Sequence, residues 1–506
     1  MVALAAALRW HQIAAMPLWL DEVISWHRAQ LPFEALVADS LANMHLPTYF
    51  LLLGGVTSVF GDSELALRMP SLVFGVLSVL IAFFAGRAAL GPAAGLVAAV
   101  LMALSPFQVM YGQEARAYTA ATLMLTIALW GLIELATDAE ATRDRGDGPF
   151  RPRPRGWALW AGGTAAALLL MSVAVPWLIA SAVVFAVIRT RTPSARRRAF
   201  DRALLAAVLP VLALWLPWLP ALAGATANSV AHFWASPLSP ASLASGIWAV
   251  YLFGVIDPVG FERIADLAPW RACLIAAAAV AGCVALRRRP VVLVALLAAS
   301  AAPILTLGAA SAFAPVFAPR YLAAGAPAFL VLAATGAVYA ASKIARPALV
   351  TAGALTLVAD LGINLAGYYA AETKPRWDLA AAALADWLHE DDAVLFQDGF
   401  TRWLVSIHLA RAGRSVPPDL FVVAPEELAR ARANRPIGRV WVPYGRVGFG
   451  AAPTEADIVK WLGEGLEPTQ IEAFGRSVRL ARFDLSPPQG GTPPPPDTAG
   501  PALDAP

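Results

Sequence analysis

Apolar runs close to membrane-spanning length follow one another along most of the chain. They cover residues 66–86, 92–108, 117–135, 157–172, 174–188, 203–220, 270–286, 290–310, 321–341 and 347–365. Each approaches the ~20 residues a helix needs to cross the hydrocarbon of a bilayer. Residues 1–18 form an eleventh, incomplete run, interrupted by Arg9, His11 and Gln12. It lacks the basic start and cleavage pattern of a signal peptide, so a start further upstream, or a shortened chain, is expected. After residue 366 the pattern changes. Short β-rich runs at 392–398, 419–423, 438–444, 469–475 and 477–483 alternate with helical patterns at 378–389, 400–411, 425–433 and 454–463. That alternation predicts a small α/β domain over 367–485. No glycine-rich phosphate fingerprint follows its strands, so nucleotide binding is not expected there. Residues 486–506 are rich in Pro and Gly and predict a disordered tail.

The loops between the apolar runs alternate in charge. Arg87, Arg143, Arg145, Arg151, Arg153, Arg155, Arg189, Arg191, Arg196, Arg197, Arg198, Arg202, Arg287, Arg288, Arg289, Lys343 and Arg346 fall in one set of loops. Only Arg28, Arg68, Arg116, Arg263, Arg271 and Arg320 fall in the other. Short loops rich in Lys and Arg stay in the cytoplasm, so the first set is expected inside and serves as an orientation signal rather than a binding patch. The same parity divides the apolar stretch 157–188 into two short spans turning near Ser172–Pro176. It leaves 221–269 without a net crossing and lays 46–60 along the outer interface. The expected fold is an α-helical polytopic membrane protein with about eleven transmembrane helices in a domain 1–366, outer interfacial helices, and an extracytoplasmic C-terminal α/β domain.

Composition agrees. Of 506 residues, 58% are hydrophobic and 14% charged, and mean hydropathy is +0.62. A soluble domain carries about a quarter charged residues, so an ordinary soluble enzyme, a disordered chain and a nucleic-acid binder are excluded. The net charge of +3 resides in the orientation loops. Cys273 and Cys283 lie ten helical residues apart, about 15 Å, too far for a disulfide.

With this topology the notable polar residues share the outer side. They are Asp21 and Glu22 in LWLDE, His45 in NMHLPTYF, Glu64 and Arg68 in SELALR, Gln113, Glu114, Arg116 and Tyr118 in YGQEARAYT, Arg320 and Tyr321 in APRYLAAG, and Asp360. Each has a simpler alternative. An acidic pair after a span also marks a plain boundary. Glu64 and Arg68 are spaced as a solvated helix ion pair. Arg116 and Arg320 are placed to reach up to lipid headgroups, His45 to start a helix, and Tyr111 and Tyr118 to join an aromatic belt. Taken together, the residues suit group transfer from a lipid phosphate. A carboxylate acts as general base on an acceptor hydroxyl, and arginines hold a phosphate leaving group and offset its charge.

The blocks LWLDE, HLPTYFLLL, SELALRMPSLVFGVLSV, LSPFQVMYGQEARAYT and PRYLAAGAP resemble the GT-C superfamily of membrane glycosyltransferases, over residues 1 to about 345. The branch most similar is that of bacterial dolichyl-phosphate-mannose protein mannosyltransferase-like proteins, with the lipid A aminoarabinose and rhizobial galacturonic-acid transferases in the same broad group. The resemblance implies inverting transfer of a sugar from a polyprenyl-phosphate donor to a hydroxyl of a lipid, glycan or protein, at the outer face of a bacterial inner membrane. It implies Asp21 as base and Glu22 as its assistant. It also implies substrate-binding roles for His45, for Glu114 with Arg116 beside it, and for Arg320 as a phosphate ligand; Arg68, Tyr118 and Tyr321, at the same boundary, are the further substrate-binding candidates. Members usually carry His-Pro-Pro where this chain has His45, Leu46 and Pro47. No outer DxD motif is present in the sequence, so chemistry without metal or cofactor is expected. The alternatives are a transporter or flippase of a lipid-linked glycan, against which stand the few ionisable residues in the spans, and a catalytically silent scaffold.

Overall fold

The computed structural model describes residues 1–144, 154–224, 237–256, 263–265, 269–396, 398–414, 421–423, 425–434, 436–447, 453–462 and 467–485. Residues 145–153, within the basic loop expected between the runs 117–135 and 157–172, and the Pro-rich segment 486–506 lie outside the described residues. The described residues fall into two compact units. The first lies within 1–13, 25–257 and 261–371; the second lies within 14–24, 258–260 and 372–506.

The first unit is helical. Each of the ten apolar runs from 66 to 365 forms helix. Among the described residues, seven helices are long and apolar enough to cross a membrane: Glu64–Leu90, Tyr118–Ala141, Ser172–Arg191, Ser194–Gly224, Pro290–Ala310, Pro319–Ala341 and Pro347–Ala370. Thr48–Phe60, Pro92–Leu104, Pro240–Val250 and Pro269–Ala285 are apolar but shorter. The expected count of eleven spans therefore includes helices of less than crossing length. The long stretch 157–188 breaks as its charge parity requires. Pro154–Leu170 ends, a 3-10 turn covers Ser172–Ala174, and Val175–Arg191 follows with Pro176 in its first turn. The two helices run antiparallel, since Trp160 Nε1 donates to Ser181 Oγ at 3.0 Å and Trp177 Nε1 to Thr164 Oγ1 at 2.8 Å.

Small residues let helices meet backbone to backbone, the usual packing where lipid removes the hydrophobic driving force. A Cβ at Gly336 would overlap the carbonyl of Ala278 on the helix Pro269–Ala285. The arginines of the basic loops also have local work. Arg289 donates to the Ala88 carbonyl at 3.2 Å, near the end of Glu64–Leu90, and pairs with Glu140 at 3.3 Å. Glu140 in turn accepts from the Val291 amide at 2.7 Å, at the start of Pro290–Ala310. One ion pair thus satisfies orphan groups at two helix ends. Arg9, which interrupts the first run, is buried and donates to the Met102 carbonyl at 3.3 Å, in the last turn of Pro92–Leu104.

In the second unit, strands β1 (Asp392–Leu395), β2 (Phe421–Val422), β3 (Arg439–Gly445), β4 (Gln470–Phe474) and β5 (Val478–Asp484) form one sheet in the order β2-β1-β3-β5-β4. All five fall on the β-rich runs of the sequence, and the helices Trp377–Trp387, Gly399–Arg411, Pro425–Asn434 and Glu455–Leu462 fall on the helical patterns between them. β2, β1 and β3 are parallel, as helical crossovers require. β5 is antiparallel to both neighbours because the turn 475–477 is too short for a crossover, and Gly475 supplies its positive φ of 65°. Trp377–Trp387 buries Trp377, Ala380, Ala381 and Leu384, one face at helical spacing.

Candidate functional site

In the second unit, the acidic pair opens the helix Leu20–Gln30. A helix N-terminus favours carboxylates in its first turn. Asp21 and Glu22 are both buried, and adjacent helical residues point about 100° apart, so the two carboxylates face different surroundings. Glu22 receives the ammonium of Lys374 at 2.8 Å, with side-chain exposures of 0% for Glu22 and 6% for Lys374. Breaking a buried ion pair costs about 3–5 kcal/mol, and a proton accepted by Glu22 would do that. Glu22 is thereby committed to Lys374. Asp21 shares a helix face with Ser25 and Arg28, four and seven residues on.

The first unit gathers the basic residues. Arg116 sits with Nη1 at 3.4 Å from Ser25 Oγ and Nη2 at 3.4 Å from His45 Nε2. Arg28 pairs with Asp39 and lies over the Phe50 ring, 5.1 Å from its centroid. Arg320, on the 3-10 helix Pro319–Gly325, lies 5.7 Å from the centroid of Tyr118 and 5.6 Å from that of Tyr321. Arg116 is 6% exposed and Arg320 3%, so neither reaches up to headgroups. The structure therefore brings His45, Arg116, Arg320, Tyr118 and Tyr321 to one neighbourhood and adds Ser25 and Arg28 to them. Arg28 had been only a member of the sparse outer arginines, although its spacing of seven from Asp21 was readable. Ser25 carried no signal of its own.

The turn that holds Arg116 is built from the QEAR block. Ser105 caps the short helix Pro106–Tyr111, and the chain then turns before Tyr118–Asp144. Ser71 Oγ donates to the Arg116 carbonyl at 3.2 Å. Gln113 Nε2 donates to the carbonyls of Arg9 and His11 at 3.1 and 2.6 Å, and its Oε1 accepts from Tyr368 Oη at 2.9 Å. Gln113 is therefore a brace for this turn, and Glu114 is buried within it. Arg68 is buried and donates to the Ile13 carbonyl at 2.7 Å. Asp360 forms an ion pair with Arg271.

His45 is the electrostatic probe of the cluster. Burial, then the Arg116 and Arg28 guanidiniums, hold its imidazole well below the ordinary histidine value, with Arg320 adding to them; the hydrogen bond to the Asn43 carbonyl opposes the shift. With Nδ1 at 2.6 Å from that carbonyl, Nδ1 carries the proton and Nε2 offers a lone pair to Arg116. His45 is thus neutral near pH 7. Unfolded, it would take a proton near pH 6.5, so its contribution to stability is present above that value and is lost as pH falls below it. The thermal midpoint of the wild type is expected to fall more steeply below pH 6.5 than that of His45→Gln, by at most about 1.4 kcal/mol per pH unit. Parallel curves for the two proteins from pH 7.5 to 5.0 would contradict a neutral His45.

Residues 44–220 match the model of a family described as dolichyl-phosphate-mannose-protein mannosyltransferase. No curated protein matches the sequence. Among solved structures, the chain is similar to ArnT from Cupriavidus metallidurans in the apo state, with a TM-score of 0.56 and 12% identity over 95% of this chain and 96% of that one. The same protein bound to undecaprenyl phosphate gives a TM-score of 0.52 and 13% identity over 95% and 97%. The archaeal oligosaccharyltransferase AglB from Archaeoglobus fulgidus, in complex with an inhibitory peptide and a dolichol-phosphate, gives 0.53 and 12% over 87% of this chain and 68% of that one. At these identities the likeness is one of fold, and the fold is that of ArnT and AglB.

Proposed function

We propose that the chain is a membrane glycosyltransferase that moves a sugar from a polyprenyl-phosphate donor to an acceptor hydroxyl, with inversion, at the outer face of a bacterial inner membrane. The observation that carries this reading is the convergence of Arg28, Arg116 and Arg320 on a neutral His45. Such a cluster suits an anion, and a GT-C fold suits one delivered on a lipid. The neighbours whose fold this chain shares were captured with undecaprenyl phosphate and with a dolichol-phosphate.

In this reading Asp21 takes the proton of the acceptor hydroxyl. The freed oxygen bonds to the anomeric carbon as that carbon's bond to the phosphate oxygen breaks. The electron pair of that bond leaves with the polyprenyl phosphate, whose growing charge the arginines offset. Donors aimed at charge that develops in the transition state contribute to rate rather than to ground-state binding alone.

The test is direct. The purified full-length chain, incubated with a panel of polyprenyl-phosphate-linked sugars and envelope lipid or glycan acceptors, is expected to release polyprenyl phosphate and transfer the sugar. A protein that moves the lipid-linked sugar across vesicles, with neither transfer nor hydrolysis, would be a transporter and would overturn this reading.

A further inference from the structure

The C-terminal α/β domain carries no nucleotide fingerprint, and the proposed chemistry gives it no step. Its contacts give it another role. The short stretch 14–24, which precedes and opens the acidic helix, forms one compact unit with residues 372 onward, not with the helices that flank it in sequence. Two side chains from the far end of the chain bind that stretch. His408, on the helix Gly399–Arg411, places Nε2 at 3.1 Å from the Leu18 carbonyl. Lys374 places its ammonium at 2.8 Å from Glu22. The two contacts lie four residues apart on the target and bracket Trp19, Leu20 and Asp21.

Lys374 is itself rigidly mounted. Two residues before it, the Glu372 carboxylate accepts the Arg476 amide at 2.8 Å, on the turn between β4 and β5. Three residues after it, the buried Trp377 donates Nε1 to the Arg446 carbonyl at 2.9 Å, just beyond β3. Pro375 stiffens the link between them. The backbone that carries Lys374 is thus tied to the sheet on both sides.

We infer that the α/β domain is a clamp for the acidic segment, in which Lys374 and His408 are positioning residues that act through Glu22 and the Leu18 backbone to set where Asp21 stands. This rests on the transferase reading for the role of Asp21, but the docking itself does not.

Hydrogen exchange and kinetics on the purified full-length chain separate the two. In Lys374→Met and in His408→Leu, exchange of amides in residues 14–24 is expected to rise at least about tenfold, the loss of a charge-assisted or buried hydrogen bond. Exchange of the strands β1, β3 and β5 should stay as in the wild type. His408→Gln, which keeps a donor near the Nε2 position, should restore protection. Glu22→Gln removes the same ion pair from the segment's side, so it decides the matter if Lys374→Met unfolds the domain. In sugar transfer, Lys374→Met should lower kcat with donor KM within about threefold, as for lost positioning rather than lost binding. The double variant Lys374→Met/Glu22→Gln should be no worse than the more damaging single one. Unchanged exchange in 14–24 in Lys374→Met, His408→Leu and Glu22→Gln alike would overturn the clamp, and so would additive losses in the double variant. A wild type that transfers no sugar would instead overturn the transferase reading, while the exchange measurement would still decide the docking.

Discussion

Asp21→Asn is expected to reduce kcat for sugar transfer by about 10²–10⁴, the usual loss when a positioned general base is removed. Asn is nearly isosteric with Asp and cannot accept the proton, so the fold and donor binding should persist. The rival is Glu22, one residue on. Its carboxylate is bound to Lys374 at 2.8 Å in a buried setting, and taking up a proton would strand the ammonium at a cost of about 3–5 kcal/mol. Glu22→Gln should therefore act through geometry and cost distinctly less than Asp21→Asn. The measurement is single-turnover transfer by each purified variant, with donor affinity determined separately. Near-normal transfer by Asp21→Asn, or a greater loss in Glu22→Gln, would assign the base to the other carboxylate.

The second large effect concerns the arginines. Arg116→Lys and Arg320→Lys should each lower kcat/KM for the polyprenyl-phosphate donor by about 10- to 100-fold, the worth of a charge-assisted hydrogen bond. Lysine keeps the charge but loses the planar fork that grips two phosphate oxygens. The surroundings of both residues favour the fork. Arg116 spreads its two terminal nitrogens between Ser25 and His45, with its backbone pinned by Ser71. Arg320 lies over the rings of Tyr118 and Tyr321, an arrangement in which a flat guanidinium stacks and an ammonium does not. Because charge and most packing remain, both variants should fold, as the thermal midpoint would show. If both lysine proteins transfer sugar at the wild-type rate with wild-type donor affinity, the cluster is not a phosphate site.

The parts of this protein that follow from local physics were legible in its sequence. Runs of apolar residues near the thickness of a bilayer marked ten helices, because hydrophobicity and length alone suffice for that inference. The break at Ser172–Pro176 followed from charge parity, and the structure turns there. The strands and helices of the C-terminal domain followed from period and turn residues. Candidate chemistry was legible only as polar residues that had no reason to sit at an apolar boundary. A polar side chain at such a boundary has the same letter whether it faces water, a headgroup or a buried partner. Tertiary structure alone decided among these. It buried Arg116 and Arg320 beside His45, brought in Arg28 and Ser25, and made Gln113 a brace for the turn that holds Arg116. It also joined Glu22 to Lys374 across 352 residues of chain. No periodicity encodes a contact of that range, since it exists only when a distant domain folds and presents one ammonium to one carboxylate.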